Sequence, residues 1–196
     1  MEKNELKSFS AVATYEVKKE VATMVFSIRR LYDCPIFLVC DQETKDFICK
    51  EHGVALGHGE IEYKVIAEEP MLEVLRDSYS GVSIKNNFHR IDCIALKMDC
   101  LSWAVREAGN TMFMDADVIL TKPIHDDISG EMTLSPHYNY IDRVKNYKTF
   151  GVYNAGYLWT DRGDAGDVWR DIYLNRSDFF EQQGMIWFHE HYDVRT

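Results

Sequence analysis

Ser8–Thr14 (SFSAVAT) begins an ordered hydrophobic pattern and has the composition of a first strand. Val17, Val21, Met24, Val25, Ile28 and Leu31 then recur at helical spacing and predict an amphipathic helix. Pro35–Cys40 (PIFLVC) is a short continuous apolar run, as expected of a strand covered on both faces. Asp41 follows, and the next segment, about Gln42–His52, predicts a helix. A third strand is expected within Ile61–Ala67, while Glu68–Asn87 reads as a short helix and an irregular connection. From Phe88 the positions Ile91, Ala95, Met98, Leu101 and Val105 mark a long helix, closed by Gly109-Asn110. The next strand starts within Asn110–Pro123 (NTMFMDADVILTKP). Strands and helices alternate throughout this half, which predicts a doubly wound α/β sheet.

Beyond this point the pattern changes. Val152–Thr160 (VYNAGYLWT) predicts another strand, and Asp164–Asn175 and Asp178–Phe188 predict helices. Trp159, Trp169, Trp187, Phe179, Phe180, Phe188 and Tyr192 make this end strongly aromatic. Core packing accounts for most of them, and a few are available as a stacking floor for a sugar ring. No repeat, low-complexity tract or Pro/Ser-rich linker interrupts the chain, so residues 1–196 are expected to form one domain.

Charge narrows the set of partners. The formal net charge of −10 opposes nucleic acid and anionic lipid, and no Lys/Arg cluster offsets it. A phosphate-bearing ligand would therefore need a metal ion as adaptor. The amino-terminal MEKNELKSFS lacks the apolar core of a signal peptide, and no apolar run approaches the ~20 residues of a membrane span. Cys34, Cys40, Cys49, Cys93 and Cys100 are odd in number and lack CxxC spacing. Reduced thiols and a cytoplasmic location are the expectation.

Two aspartates, Asp115 and Asp117, interrupt the most strand-like run of the chain. Unpaired buried charge is costly, so such acids belong at a strand end or on a cation. In extended backbone, residues i and i+2 share a side, and both carboxylates would face one hard cation, Mn²⁺ or Mg²⁺. A turn carrying two solvated acids is the alternative. Thr14-Tyr15, Asp41 and Asp115-Ala116-Asp117 all fall at predicted carboxyl ends of strands, where open α/β sheets bind ligands.

Two enzyme families place D-x-D after an apolar strand. Asp115–Leu120 (DADVIL) resembles the opening motif of the haloacid-dehalogenase-like phosphatases, with a partial acidic echo in Arg162–Asp167 (RGDAGD). That family places the motif on an early strand, whereas here more than half the chain precedes it. Phe113–Ile124 (FMDADVILTKPI), with Asn154-Ala155-Gly156, resembles the GT-A fold glycosyltransferases, in particular the glycogenin and lipopolysaccharide galactosyltransferase group. Glu181-Gln182 is similar to that group's later D-Q element, with Glu in place of Asp.

This resemblance implies a mixed, mostly parallel sheet flanked by helices, with a nucleotide-binding half over about 1–120 and a donor and acceptor half over about 121–196. It implies sugar transfer from a nucleotide-diphosphate donor, UDP-linked by expectation, to a hydroxyl of a glycan, protein or lipid. Asp115 and Asp117 would hold Mn²⁺ or Mg²⁺ on the diphosphate, beside Ala116. Lys97 matches a basic residue that touches the donor, or is a solvated helix-face lysine. Ala13, Thr14, Tyr15 and Asp41 match the positions that hold base and ribose; Tyr15 equally suits a strand cap and Asp41 a helix cap. Asn154 and Gly156 would lie under the donor sugar. Glu181, as general base, would give inversion, and Gln182, supporting a sugar cation, would give retention. The family's third metal ligand is often a histidine well beyond the D-Q element. Here His191 or His189 is the candidate, since the sequence ends fourteen residues after Gln182. Two protein ligands or a missing carboxy-terminal piece are the alternatives.

Overall fold

The computed structural model describes residues 5–52, 60–67, 88–124, 128–136, 151–176 and 181–196, with backbone alone at 51–52, 66–67 and 88–94. Among the described residues seven strands form one mixed sheet: β1 (Phe9–Ala13), β2 (Ile36–Asp41), β3 (Ile61–Ala67), β4 (Thr111–Met114), β5 (Met132–Pro136), β6 (Tyr153–Thr160) and β7 (Val194–Arg195). Their order is β3-β2-β1-β4-β6-β5-β7. β3, β2, β1 and β4 are mutually parallel; β6 runs antiparallel to both β4 and β5, and β7 lies parallel to β5.

Helices cover both faces, which is why the parallel strands read as continuous apolar runs rather than alternating ones. β2 is buried at all six positions. On one face Phe9, Ala11 and Ala13 of β1 meet Val21, Met24, Val25 and Ile28 of α1 (Lys18–Arg29) and Ile48 of α2 (Gln42–His52). On the other lie α3 (Phe88–Ala108) and α4 (Ala165–Arg176). There Met98 and Leu101 of α3 pack with Phe113, Leu158, Trp169, Met185 and Phe188. Trp169 is wholly buried, edge-on to both Phe113 and Phe188. A 3-10 helix over Gln183–Glu190 closes this side.

Asn110 ties the amino edge of the sheet. Its side chain accepts from the Lys7 amide at 2.9 Å and donates to Glu5 O at 2.9 Å, while its carbonyl accepts from Ser8 Oγ at 2.7 Å. Just before it, Gly109 takes φ 89°, the left-handed residue that ends α3.

The predicted elements of the first half that lie in the described residues appear with their ends moved by a residue or two, except that the strand of Asn110–Pro123 is only Thr111–Met114. Two short strands, β5 and β7, were not predicted: Met132–Pro136 is too short for a clear period, and Val194–Arg195 is a two-residue pairing on β5. The last predicted helix is corrected to the 3-10 helix starting at Gln183, with the buried Gly184 in its first turn, where a tighter coil lies flat against the core. Phe179, Phe180, the Cys93 side chain and Glu68–Asn87 lie outside the described residues. Of the described cysteines, all free, Cys40 and Cys100 are buried, Cys34 is partly buried and Cys49 is exposed. Among the described residues no helix is long and apolar enough to cross a membrane.

α4 packs closely on α3 at Gly166. A Cβ added at Gly166 would stand 2.4 Å from Ser102 Oγ and closer still to the Met98 carbonyl. Gly166→Ala should therefore lower unfolding stability by about 1–3 kcal/mol, read from the urea midpoint at unchanged m-value.

Candidate functional site

The parallel strands share a carboxyl edge, and the chain reverses its winding direction between β1 and β4. These two strands pair only through Phe9↔Met112 and Ser10↔Phe113, whereas β1 and β2 pair along the whole of β1. β1 and β4 therefore part toward their carboxyl ends, leaving the crevice in which open α/β sheets hold ligands. The predicted residues Ala13, Thr14 and Tyr15 follow from β1, Asp41 ends β2, and Asp115 to Asp117 follow β4.

The strand before the aspartates stops earlier than expected. β4 ends at Met114, and the Val118 amide donates to Asp115 O at 3.0 Å, so Asp115–Val118 is a turn and not extended backbone. The extended geometry assumed for the D-x-D pair is thus corrected. Asp115 is half-buried, Ala116 is buried and Asp117 is exposed. The Asp115 amide donates to Gly156 O at 2.9 Å, which fixes the turn to β6.

Lys97, on α3, reaches Asp115 Oδ1 at 2.8 Å and Glu181 Oε1 at 3.3 Å. Its side chain is 21% exposed, Glu181's 13% and Asp115's 34%. Burial acts to lower the Lys97 pKa, but the Asp115 and Glu181 carboxylates outweigh it and leave the ammonium above its usual value. One cation thus joins the β4 turn to the segment before the 3-10 helix. With Asp117 exposed nearby in sequence, the cluster carries more negative than positive charge.

Two glycines set its shape. A Cβ added at Gly156 would stand 2.4 Å from Asp115 Oδ2, so only glycine leaves this carboxylate its place. Asn154 Oδ1 accepts from the Gly156 amide at 2.8 Å. Gly151, which sequence reasoning missed, adopts φ 83°, and a Cβ there would stand 2.5 Å from Gln182 O. The backbone of Gln182 lies directly on Gly151, while Trp169 Nε1 donates to Glu181 O at 3.1 Å. The only sequence signal for Gly151 was a glycine directly before a strand.

At the other side of the crevice Asp41 is wholly buried. Its Oδ2 accepts from the Tyr15 amide and its Oδ1 from the Thr44 amide, both at 2.8 Å. Tyr15 begins a short 3-10 turn and is partly exposed, with Lys18 Nζ 3.3 Å from its ring centroid. Lys18 was not singled out from the sequence.

The histidines stand apart. His189 Nε2 hydrogen-bonds Tyr153 Oη at 2.8 Å, and His191 is exposed at the end of the 3-10 helix. Among the described residues no group of three or more His, Cys, Asp or Glu side chains is placed to hold a metal ion, so His191 is not assembled with Asp115 and Asp117. The segment after Asp117 is strapped to α1 and the residues just after it: Ser27 Oγ accepts from the Leu120 amide at 3.0 Å and Tyr32 Oη from the Ile124 amide at 2.6 Å.

Removing the shared cation leaves two carboxylates short of a partner. Lys97→Met should destabilise the fold by about 2 kcal/mol, below the cost for a fully buried pair because both acids keep some access to water. Lys97→Arg should recover part of that loss in the same denaturation experiment.

No protein-family profile matches this sequence, and no curated protein matches it by sequence. Solved structures do match it in fold. The glycosyltransferase GlyE of Streptococcus pneumoniae TIGR4 superposes with a TM-score of 0.58 at 12% identity, over 98% of this chain. The chain spans 45% of the length of GlyE. Mouse xyloside xylosyltransferase 1 gives 0.51 at 11% identity, over 95% of this chain and 82% of the other. Core-mannan synthase A of Aspergillus fumigatus, solved in a Mn/GDP form, gives 0.50 at 8% identity, over 88% and 62%. At these identities the likeness concerns architecture alone: this α/β chain has the GT-A-like glycosyltransferase fold.

Proposed function

We propose that the chain is a metal-dependent glycosyltransferase that moves a sugar from a nucleotide-diphosphate donor, UDP-linked, to a hydroxyl acceptor on a glycan, protein or lipid. The observation that carries this reading is the cluster of Lys97, Asp115, Glu181 and Gly156 at the carboxyl edge, beside the β1/β4 crevice. The donor set suits a hard divalent ion, because Asp115 and Asp117 offer carboxylate oxygens. The missing Cβ of Gly156 lets the Asp115 carboxylate keep its place against β6. Bound there, Mn²⁺ or Mg²⁺ would supply Lewis-acid stabilisation of the departing nucleoside diphosphate. The likeness to a protein solved with Mn and GDP supports this choice of ligands.

The protein's own groups then divide the work. Lys97 adds a fixed positive charge beside the phosphates, already desolvated and therefore effective without reorganisation. Asn154 and Gly156 lie under the donor sugar, with the glycine allowing close backbone approach. Tyr15 stacks on the base, with Ala13, Thr14 and Ala116 lining the donor. Glu181 and Gln182 form the reacting face. The Glu181 carbonyl is held by Trp169 and the Gln182 backbone by Gly151, so both side chains start from a fixed backbone. The glycogenin-like motifs favour retention, with Gln182 supporting the sugar cation. A cytoplasmic location rests on the sequence pattern of five cysteines, odd in number and without CxxC spacing.

The reading is tested by incubation with UDP-sugars, with and without Mn²⁺. UDP should raise the melting temperature only with metal present, and one donor should be slowly hydrolysed, with product configuration read by NMR. Asp115→Asn together with Asp117→Asn should abolish the metal-dependent shift and slow UDP release by roughly 100-fold or more. A shift that survives both substitutions places the metal elsewhere, and release of inorganic phosphate from small phosphomonoesters would indicate a phosphatase instead.

A further inference from the structure

Asp41 lies where a residue of the nucleotide pocket is expected, yet its carboxylate is already committed. The β1–β2 ladder ends at Ala13↔Cys40, and the Asp41 side chain takes over where backbone pairing stops. One oxygen receives the Tyr15 amide and the other the Thr44 amide, three residues into the chain after Asp41, as a capping aspartate does. With no exposure to solvent, this charge depends on such bonds. Thr14, at φ −112° and ψ 161°, is extended, and the Val17 amide donates to Thr14 O at 3.0 Å, closing the turn that carries Tyr15. The Tyr15 ring leaves this turn half-exposed, with the Lys18 ammonium over one face.

We propose that Asp41 is a positioning residue: it does not read the nucleotide, but clamps the Tyr15 turn to the start of α2 and so fixes the ring on which the base stacks. This rests on the nucleotide-sugar reading above. Asp41→Asn keeps the shape but leaves only one accepting oxygen, so one of the two amides loses its partner. A residue that touches the base would alter the choice among bases. A residue that holds Tyr15 weakens every base alike and acts only through the ring.

The test measures Mn²⁺-dependent binding of UDP, GDP, CDP and ADP by calorimetry, for the unaltered protein, Asp41→Asn, Tyr15→Ala and the double variant. Asp41→Asn should weaken all four by one common factor, about tenfold, and leave their order unchanged. In the Tyr15→Ala background it should add almost nothing. A changed order of bases, or losses that simply add, overturns the proposal and leaves the transferase reading intact. Hydrogen exchange of the Tyr15 amide in the unaltered protein provides a second measure that needs no variant to fold. The amide should stay protected with and without UDP; loss of protection on binding would show Asp41 turning toward the ligand and would overturn the proposal. If the unaltered protein binds none of the four diphosphates, the transferase reading falls, and this proposal with it.

Discussion

Lys97 places one ammonium, largely out of water, between a carboxylate from the β4 turn and another from the segment before the 3-10 helix. Neither acid is adjacent to it in sequence, and taking either out of water is favourable only while the cation is present. The arrangement of the carboxyl edge follows from this constraint. α3 must carry the lysine at the level of the strand ends, the turn after Met114 must bring Asp115 inward, and β6 must offer a glycine to make room. The charge that remains is negative, so on the proposed reading an anionic diphosphate would need a divalent ion to dock there.

The sheet supports that edge with two different kinds of pairing. Its parallel strands are covered on both faces and present their carboxyl ends together. Its reversed strand, β6, runs antiparallel to β4 and β5, so that Asn154 and Gly156 at its start reach the same edge from the opposite direction. The crevice between β1 and β4 lies where a parallel strand loses its partner early. Ligand-binding geometry of this kind is a product of topology, with side chains selected to fit it.

The long apolar runs made the parallel half legible. Pro35–Cys40 and the strand before Asp115 stood out as continuous apolar runs and α3 by its helical stripe, because burial on both faces leaves little freedom in composition. β5 and β7 were not legible: Met132–Pro136 mixes Thr, Ser and Pro among its five residues and Val194–Arg195 is only two long, so both depend on tertiary pairing more than on their own pattern. At the site, residue types were readable but conformation was not. The turn at Asp115 and the packing of Gly151 on Gln182 are set by contacts distant in sequence, from β6 and from the 3-10 helix. The Asp41 cap on Thr44 was one of the expected readings, but its second bond was invisible for the same reason, as the Tyr15 donor lies on another strand's exit.

The Asn110 knot has a consequence for the chain while it is being made. β1 sits inside the sheet, yet the residue that secures it is 102 positions downstream of Ser8. At about 5–20 residues per second a ribosome needs roughly 5–20 s to deliver that partner. Throughout that interval one hydrogen-bonding side of β1 is open, a template for pairing with the wrong neighbour. Such a topology forms late contacts slowly, and its vulnerability to aggregation belongs to biosynthesis more than to the finished fold.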